Sequence, residues 1–399
     1  MPQPIDVDQL TEIVKKIFII EDFIQGDDKQ NFILRFRGKL IAPDSSHVYD
    51  LLSADMEPFG LTPRFFLNKG KQVISLERSL PEPKPLNPHI NLVLFILTLL
   101  SVIFTGAMYG MQGDFPSDPL QAVKLIFSQG WPFAVALLAI LATHEFGHYF
   151  AGRRHGVQVT LPYFIPLPLS AFGTLGAFIN MRSLPKNKRI LFDIAITGPL
   201  SGLIVSILVL LIGLNLSTLN PLPTSPDMGV GLQMEGNSLL YLALKYLVFG
   251  KVLPQPPGIS GISLILFWGQ YFFTGHPFPW GSLDVLLHPV AWAGWAGLFV
   301  TTINLLPVGQ LDGGHIFSSL FGEENAQRIY PFILTGLVLL GFFWNTWWIW
   351  ALLLFLLGRF YAQPLDQITK LDSRRRILGW LALVVFIITF IPVPLSIIY

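Results

Sequence analysis

Apolar and polar positions divide the chain into two unlike parts. Up to about residue 83, apolar residues come in short runs broken by charged and turn-forming residues; from about residue 90 they come in long runs with short polar stretches between them. In the first part, the runs at 17–24, 32–36, 62–67 and 72–77 read as strands, punctuated by Gly26-Asp27-Asp28 and Asn68-Lys69-Gly70 as turns. Asp8 is placed to cap a helix running through Lys15, and Ser45-Ser46-His47 opens a helix through Met56. Residues 1–83 are therefore expected to form a small soluble α/β domain. The proline-rich run Pro81-Glu82-Pro83-Lys84-Pro85 reads as a stiff, extended linker, taken as residues 84–89.

A membrane-spanning helix needs about 20 mostly apolar residues. Stretches of this kind fall at 90–110, 131–152, 190–214, 288–306, 329–344, 346–360 and 376–396. The fifth and sixth are short, and Trp344-Asn345-Thr346 lies between them. Charge decides whether they are one helix or two. Arg153, Arg154, Arg182, Lys186, Lys188 and Arg189 flank the second and third stretches, and Arg359, Lys370, Arg374, Arg375 and Arg376 flank the sixth and seventh. Basic residues accumulate on the cytoplasmic side of membrane helices. Seven crossings put both clusters and the N-terminus there; six would place the arginine cluster outside.

Two connections are more than loops. Residues 157–181 are apolar but carry Pro162, Pro166, Pro168, Gly173 and Gly176, which defeats a helix. With basic residues at both ends, this segment is expected to enter and leave on one side as a re-entrant β-hairpin, against protein or a wet cavity. Within 215–287, expected outside, 238–250 and 261–273 read as short interfacial helices. The fold class is thus an all-α polytopic membrane protein of about seven transmembrane helices, with a re-entrant hairpin, short interfacial helices and the N-terminal α/β domain. Its divisions are a first helix and external loop at 90–130, a core at 131–316 and C-terminal helices at 317–399.

Composition agrees with that class. The chain is 52% hydrophobic and 13% charged with mean hydropathy +0.56, against roughly 25% charged residues in soluble proteins. A net charge of +1 gives no reason to invoke nucleic acid. With no cysteine, disulfides and thiolate metal ligands are excluded. No apolar segment follows Met1, and Asp6, Asp8, Glu12, Glu21 and Asp22 do not suit a transit peptide, so the membrane helices are expected to direct insertion.

The chemistry sits in the second apolar stretch as His144-Glu145-Phe146-Gly147-His148. Histidines at i and i+4 share a helix face, where both imidazoles can reach one metal ion, and the adjacent glutamate is placed to take a proton from water activated by that metal. Ionisable residues at membrane depth are costly and mark function. Catalytic zinc usually takes three protein ligands. The missing one is Asp312, in Asn304-Leu305-Leu306-Pro307-Val308-Gly309-Gln310-Leu311-Asp312-Gly313-Gly314-His315, where Pro307 and Gly309 end a helix and turn Asp312 back toward the bundle. At about 1.5 Å per residue, both motifs fall in the cytoplasmic third of helices running in the same direction. Gly198-Pro199-Leu200-Ser201-Gly202 reads as close helix packing near the site. His155 reads as interfacial, His315 as packing or support behind the ligands, and the tryptophans, including Trp344, Trp347, Trp348 and Trp350, as an interfacial belt.

Together these motifs resemble the site-2 protease family of intramembrane metalloproteases, peptidase family M50. Gly198–Gly202 is similar to that family's glycine-rich signature. The N-terminal α/β domain, the stretch from His288 to Trp295 and the extra C-terminal helices are similar to the cyanobacterial and plant plastid branch. The resemblance implies one zinc ion per chain held by His144, His148 and Asp312. It also implies Glu145 as general base and Asn304 holding or polarising the scissile carbonyl. The implied activity is hydrolysis of peptide bonds within or near the transmembrane segments of membrane-tethered, single-span proteins. The implied setting is a lipid bilayer, the plasma or thylakoid membrane of a cyanobacterium-like bacterium. On this reading the hairpin residues Gly173, Thr174 and Gly176 position the substrate. A non-proteolytic zinc-dependent chaperone or scaffold is the alternative, and the intact Glu145 argues against it. A transporter fits less well, since the chain has no pair of matching halves.

Overall fold

The computed structural model describes residues 5–26, 31–79, 87–111, 116–224, 232–359 and 361–398. The turn expected at Gly26-Asp27-Asp28 and the Pro81–Pro85 linker fall largely outside the described residues.

The N-terminal domain has the expected α/β character. Helix α1 (Val7–Lys15) precedes strand β1 (Phe18–Gln25), then come β2 (Leu34–Leu40), α2 (Ser45–Met56), β3 (Leu61–Asn68) and β4 (Lys71–Arg78). The strands form one antiparallel sheet in the order β1-β2-β4-β3. Along β2, Leu34, Phe36 and Leu40 are buried while Arg35, Arg37 and Lys39 are not, the period-2 alternation of a half-covered sheet. These residues pack with Leu10 and Val14 of α1 and Tyr49, Leu52 and Met56 of α2. The cap of α1 is Asp6, whose carboxylate accepts from the Asp8 amide, rather than Asp8 itself. At the β3–β4 turn, Lys69 and Gly70 both have positive φ (50° and 79°), as a tight two-residue hairpin requires.

Among the described residues of the second part, three helices are long and apolar enough to cross a membrane: α3 (Pro88–Gly110), α4 (Pro119–Arg154) and α5 (Lys188–Leu216). Between α4 and α5 lies the expected hairpin, β5 (Tyr163–Pro166) paired antiparallel with β6 (Thr174–Phe178). After α5 come β7 (Thr218–Pro221), β8 (Leu232–Glu235), α6 (Leu239–Phe249), α7 (Ile262–Thr274) and β9 (Leu283–Leu286), and then α8 (Pro289–Asn304). The remainder is α9 (Asp312–Phe321), α10 (Glu323–Leu340), α11 (Thr346–Leu357), α12 (Ser373–Thr389) and β10 (Leu395–Ile398).

Several boundaries differ from the sequence reading, among them the start of α10 at Glu323 and the end of β2 at Leu40, and three bear on the bundle. Helix α4 starts at Pro119, so much of the expected external loop is helical; Asp118 accepts from the Leu120 amide and proline occupies the first turn, a strong start signal. Helix α12 stops at Thr389 because Ile391-Pro392-Val393-Pro394 cannot continue it, and β10 instead pairs with β8. Helix α8 has 16 residues, about 24 Å. It packs against both α4 and α5 inside the bundle, buried from Ala291 through Phe299. A Cβ on Gly294 would stand 2.7 Å from the Leu210 backbone, so glycine is what lets α8 lie directly on α5. The tryptophans do not form a single belt. Trp295 and Trp347 are fully buried, with the Trp347 indole N–H donating to the Pro392 carbonyl, while Trp131, Trp348 and Trp380 are exposed.

At the end of the bundle formed by β8, β9 and α6, a buried polar group ties these elements together. The Tyr241 hydroxyl donates to Glu235 (2.8 Å), and the Lys245 ammonium lies 3.7 Å from Asp284 and 4.6 Å from the Tyr241 ring centroid. Burial pushes the Glu235 carboxyl above its usual range, with Lys245 pulling the other way.

The N-terminal domain docks on the opposite end through a strap at 365–369. The Phe65 amide on the β3 edge donates to the Leu365 carbonyl and the Gln367 amide to the Phe65 carbonyl, both at 2.8 Å. On its other side the strap bonds to Pro185 and Lys186, just before α5. Asp366 is fully buried, and its carboxylate accepts from Ser45 Oγ (2.7 Å), the amides of Ile368 (2.9 Å) and Thr369 (3.1 Å) and the Thr369 hydroxyl. Ion pairs Lys186–Asp50 and Arg189–Asp44 flank it. Asp366→Ala leaves several buried donors without an acceptor and is expected to cost about 3 kcal/mol. It should let the N-terminal domain melt or be proteolysed before the helical part; an unchanged single unfolding transition would show that the strap does not hold the domain.

Candidate metal centre

Helix α4 carries His144, Glu145 and His148, all at most 5% exposed. Asp312, the first residue of α9, lies against them. The His144 and His148 Nε2 atoms are 3.1 Å apart, and each is 3.3 Å from Asp312 Oδ2. Three ligand atoms at bonds of about 2.1 Å and tetrahedral angles stand about 3.4 Å from one another. Donor chemistry and triangle therefore both fit a single metal ion. Among the described residues this is the one group of three or more His, Asp or Glu side chains so arranged.

A backbone atom sets the orientation of His148. Its Nδ1 lies 2.7 Å from the Ile194 carbonyl of α5, and a carbonyl can only accept, so Nδ1 carries the proton and Nε2 presents its lone pair to the centre. The glycine motif of α5 explains how the rings fit. A Cβ on Gly198 would stand 2.1 Å from His148 Nε2, and one on Gly202 would lie 3.1 Å from His144 Cβ. Ser201 Oγ donates to the Thr143 carbonyl at 3.0 Å, bonding α5 to α4 beside the histidines. Gly198 and Gly202 thus leave room for the imidazoles between two packed helices.

Asn304, the last residue of α8, brings its Nδ2 to 3.3 Å from His144 Nε2. The turn is buried from Leu305 through Gly309, and it delivers Asp312 back to the same point. Residues 160 positions apart in sequence thereby meet. His315, one turn after Asp312, is buried beside the centre with Nδ1 unpaired. His155 is tied to Asp193 (3.0 Å), which also takes a bidentate contact from Arg375 at 2.6 and 2.7 Å. This links α4, α5 and α12 one residue before Ile194. Neither Asp193 nor the Ile194 carbonyl carries a sequence signal; only the basic cluster at Arg374–Arg376 hinted at a partner.

Two cavities meet at the centre, both lined by His144, Glu145, Asn304 and Ala177. One, of about 470 Å³, is the more polar of the two and opens toward the end that carries the N-terminal domain, past Asn180, Ser183, Gln310 and Tyr361. The other, of about 370 Å³, is apolar and runs deeper into the bundle, past Leu137 and Leu141. The hairpin residues divide. Thr174 and Gly176 line the apolar cavity. The Thr174 hydroxyl bonds within the hairpin, to the carbonyls of Ile165 (2.7 Å) and Gly176 (3.1 Å). Gly173 lines neither cavity; with φ 73° it closes the turn against α3, where Ser101 Oγ donates to its carbonyl at 2.5 Å.

The sequence model of peptidase family M50 matches residues 132–343, more than half of the chain and all of this centre. The chain belongs to peptidase family M50. Among curated relatives, it is 27% identical over 389 residues to the probable chloroplastic zinc metalloprotease EGY2 of Arabidopsis thaliana, covering 94% of this chain and 63% of the relative. It is 30% identical over 283 residues to the probable chloroplastic zinc metalloprotease EGY1 of Oryza sativa subsp. japonica, covering 67% and 43%. With EGY1 of Arabidopsis thaliana the identity is 27% over 384 residues, covering 92% and 64%. The chain spans less than two thirds of the length of these relatives. No solved structure matches it. The M50 match ends near the α10–α11 turn, so the N-terminal domain and α12 lie outside it.

Two substitutions test this M50 centre by metal analysis after loading with zinc. Asp312→Ala is expected to bring bound metal well below one ion per chain. Gly198→Ala, which touches no metal, should do the same by displacing the His148 ring. Retention of a full ion by both variants would place the metal elsewhere.

Proposed function

We propose that this chain is an intramembrane zinc metalloprotease that hydrolyses peptide bonds within or near the transmembrane segments of single-span, membrane-tethered proteins. The observation that carries the reading is the convergence of His144, His148 and Asp312 on one point, with Glu145 beside them and cavities on both sides. Two imidazoles and a carboxylate are a usual protein ligand set for catalytic zinc, and the relatives' names agree. When bound there, zinc supplies a Lewis acid that polarises the scissile carbonyl and makes an adjacent water acidic near neutral pH.

The protein's own residues do the rest. Glu145 takes the proton as the water oxygen bonds to the peptide carbon; as the C–N bond breaks, it passes a proton to the departing amine. The Asn304 amide donates toward the carbonyl oxygen. Water enters through the polar cavity. Helical substrate carbonyls are hydrogen-bonded, so the substrate must unwind, and β6, which has one strand partner among the described residues, offers its other edge to the extended chain. Gly173 and Thr174 then shape the turn that presents that edge, and Gly176 leaves room along it.

For topology we infer seven crossings, by α3, α4, α5, α8, α10, α11 and α12, with residues 1–83 and the basic clusters cytoplasmic and 215–287 outside. The Lys/Arg distribution supports this. The core at 131–316 then carries the chemistry, preceded by the linker at 84–89 and the segment at 90–130 and followed by 317–399. The membrane is the plasma or thylakoid membrane of a cyanobacterium-like cell, a reading supported by the chloroplastic relatives.

Glu145→Gln is expected to abolish cleavage of a reconstituted single-span substrate while zinc stays near one ion per chain. Cleavage that persists would remove the mechanism; an uncleaved substrate that is still bound and folded by both proteins would favour the chaperone reading. Prolines at Leu175 and Ala177, which remove donors from β6, should lower cleavage at least tenfold without changing zinc content. An unchanged rate would exclude strand pairing by the substrate.

A further inference from the structure

The apolar cavity has a composition that the hydrolysis itself does not require. The centre needs ligands, a base and access for water, all provided on the polar side. The second cavity is instead walled by five aromatic side chains: Phe172 from the hairpin, Trp295 and Phe299 from α8, Trp344 from the α10–α11 turn and Trp350 from α11. Four of them, all but Trp350, brace one another. Trp295 and Phe299 are nearly parallel with centroids 6.0 Å apart, Phe172 lies 6.4 and 6.2 Å from the two, and Trp344 meets Phe299 edge-on at 6.1 Å. Rings held on four sides form a pocket of fixed shape rather than a loose groove.

Its position fixes what can fill it. Leu141 and Leu137, on its wall, precede His144 by one and two helical turns, so the pocket extends about 5–10 Å from the centre, away from the polar cavity. A substrate at the centre must leave one flank in the polar cavity and the other in the apolar one. Residues 174–177 of β6 form a wall of the apolar pocket. In a chain extended along β6, successive side chains point to opposite faces, so one side chain near the reacting bond enters the pocket. Apart from His144 and Glu145, no charged residue lines it, so a charge placed there would be left without a partner.

We propose that this pocket is a specificity subsite: it takes one large apolar side chain, of the size of leucine or phenylalanine, next to the scissile bond on its membrane-embedded side. The inference rests on the proteolytic reading above. It makes the aromatic wall, and Trp350 and Val300 within it, determinants of where the substrate is cut. Neither residue touches the reacting atoms. Filling or enlarging the pocket changes which side chain fits and leaves the ligands and the base in place. Discrimination between apolar side chains that differ by a methylene or more runs from tenfold upward in a pocket of fixed shape.

The test uses the full chain with zinc in liposomes and a single-span substrate. Each position within three residues of the mapped cleavage site is varied in turn among Ala, Leu, Phe and Asp. For the wild type, one position on the membrane-embedded side is expected to favour Leu and Phe over Ala at least tenfold in kcat/KM and to reject Asp. Val300→Phe, which fills the pocket, should shift the ratio tenfold or more toward Ala; Trp350→Ala, which enlarges it, should raise Phe relative to Leu. A ratio is insensitive to the amount of folded enzyme, and the two variants move it in opposite senses. Equal rates for Ala, Leu and Phe at every position in the wild type, or ratios that neither variant moves, overturn the subsite while leaving the proteolysis standing. If no substrate is cleaved by zinc-loaded wild type, the proteolytic reading falls and the subsite with it.

Discussion

Two imidazoles and two carboxylates buried in an apolar bundle are the constraint around which the rest is arranged. Such groups are expensive to take out of water unless their lone pairs and protons are satisfied. The protein meets that cost by contact rather than by solvent. Asp312 faces both histidines, the Ile194 carbonyl accepts from the His148 Nδ1–H, and the Asn304 amide closes the remaining side. Each partner comes from a different helix, so α4, α5, α8 and α9 must hold a common register. Small residues make this possible. With Gly198 and Gly202 against the two rings and Gly294 against α5, the backbones approach closely enough for the side chains to meet.

The same arrangement divides access. The polar cavity opens toward the docked N-terminal domain, and the apolar one reaches into the bundle. The strap at 365–369 adds a mechanical link, since its partners Pro185 and Lys186 directly follow Ser183 and Leu184, which line the polar cavity. A domain outside the M50 match is thus bonded through three peptide units to the wall of the centre.

Much of this was legible without coordinates. Strands β2, β3 and β4, the start of α2 at Ser45, the hairpin within 157–181 and the short helices α6 and α7 all follow from local signals: alternation, caps, prolines and apolar runs. The candidate metal group was legible because spacing on one helix and a proline-broken turn after another are local as well. Other features left no trace. The first turns of α4 carry Gln121, Lys124 and Gln129, which made them look like loop until the bundle showed the helix continuing. Trp347 reads as an interfacial residue by type, yet it is fully buried with its N–H bonded to Pro392.

The sequence by itself determined the class of the protein, its α/β domain, its apolar helices and the candidate metal-holding group with the glutamate beside it. All of these depend on residue type and on spacing within a few turns. Only the tertiary structure decided which backbone carbonyl orients His148, why the glycines of α5 are needed, that Asp366 clasps the N-terminal domain, and that the aromatic residues of α8 and α11 form one pocket. Those are relations between distant segments made by shape and by backbone atoms, which every residue shares and no motif can encode.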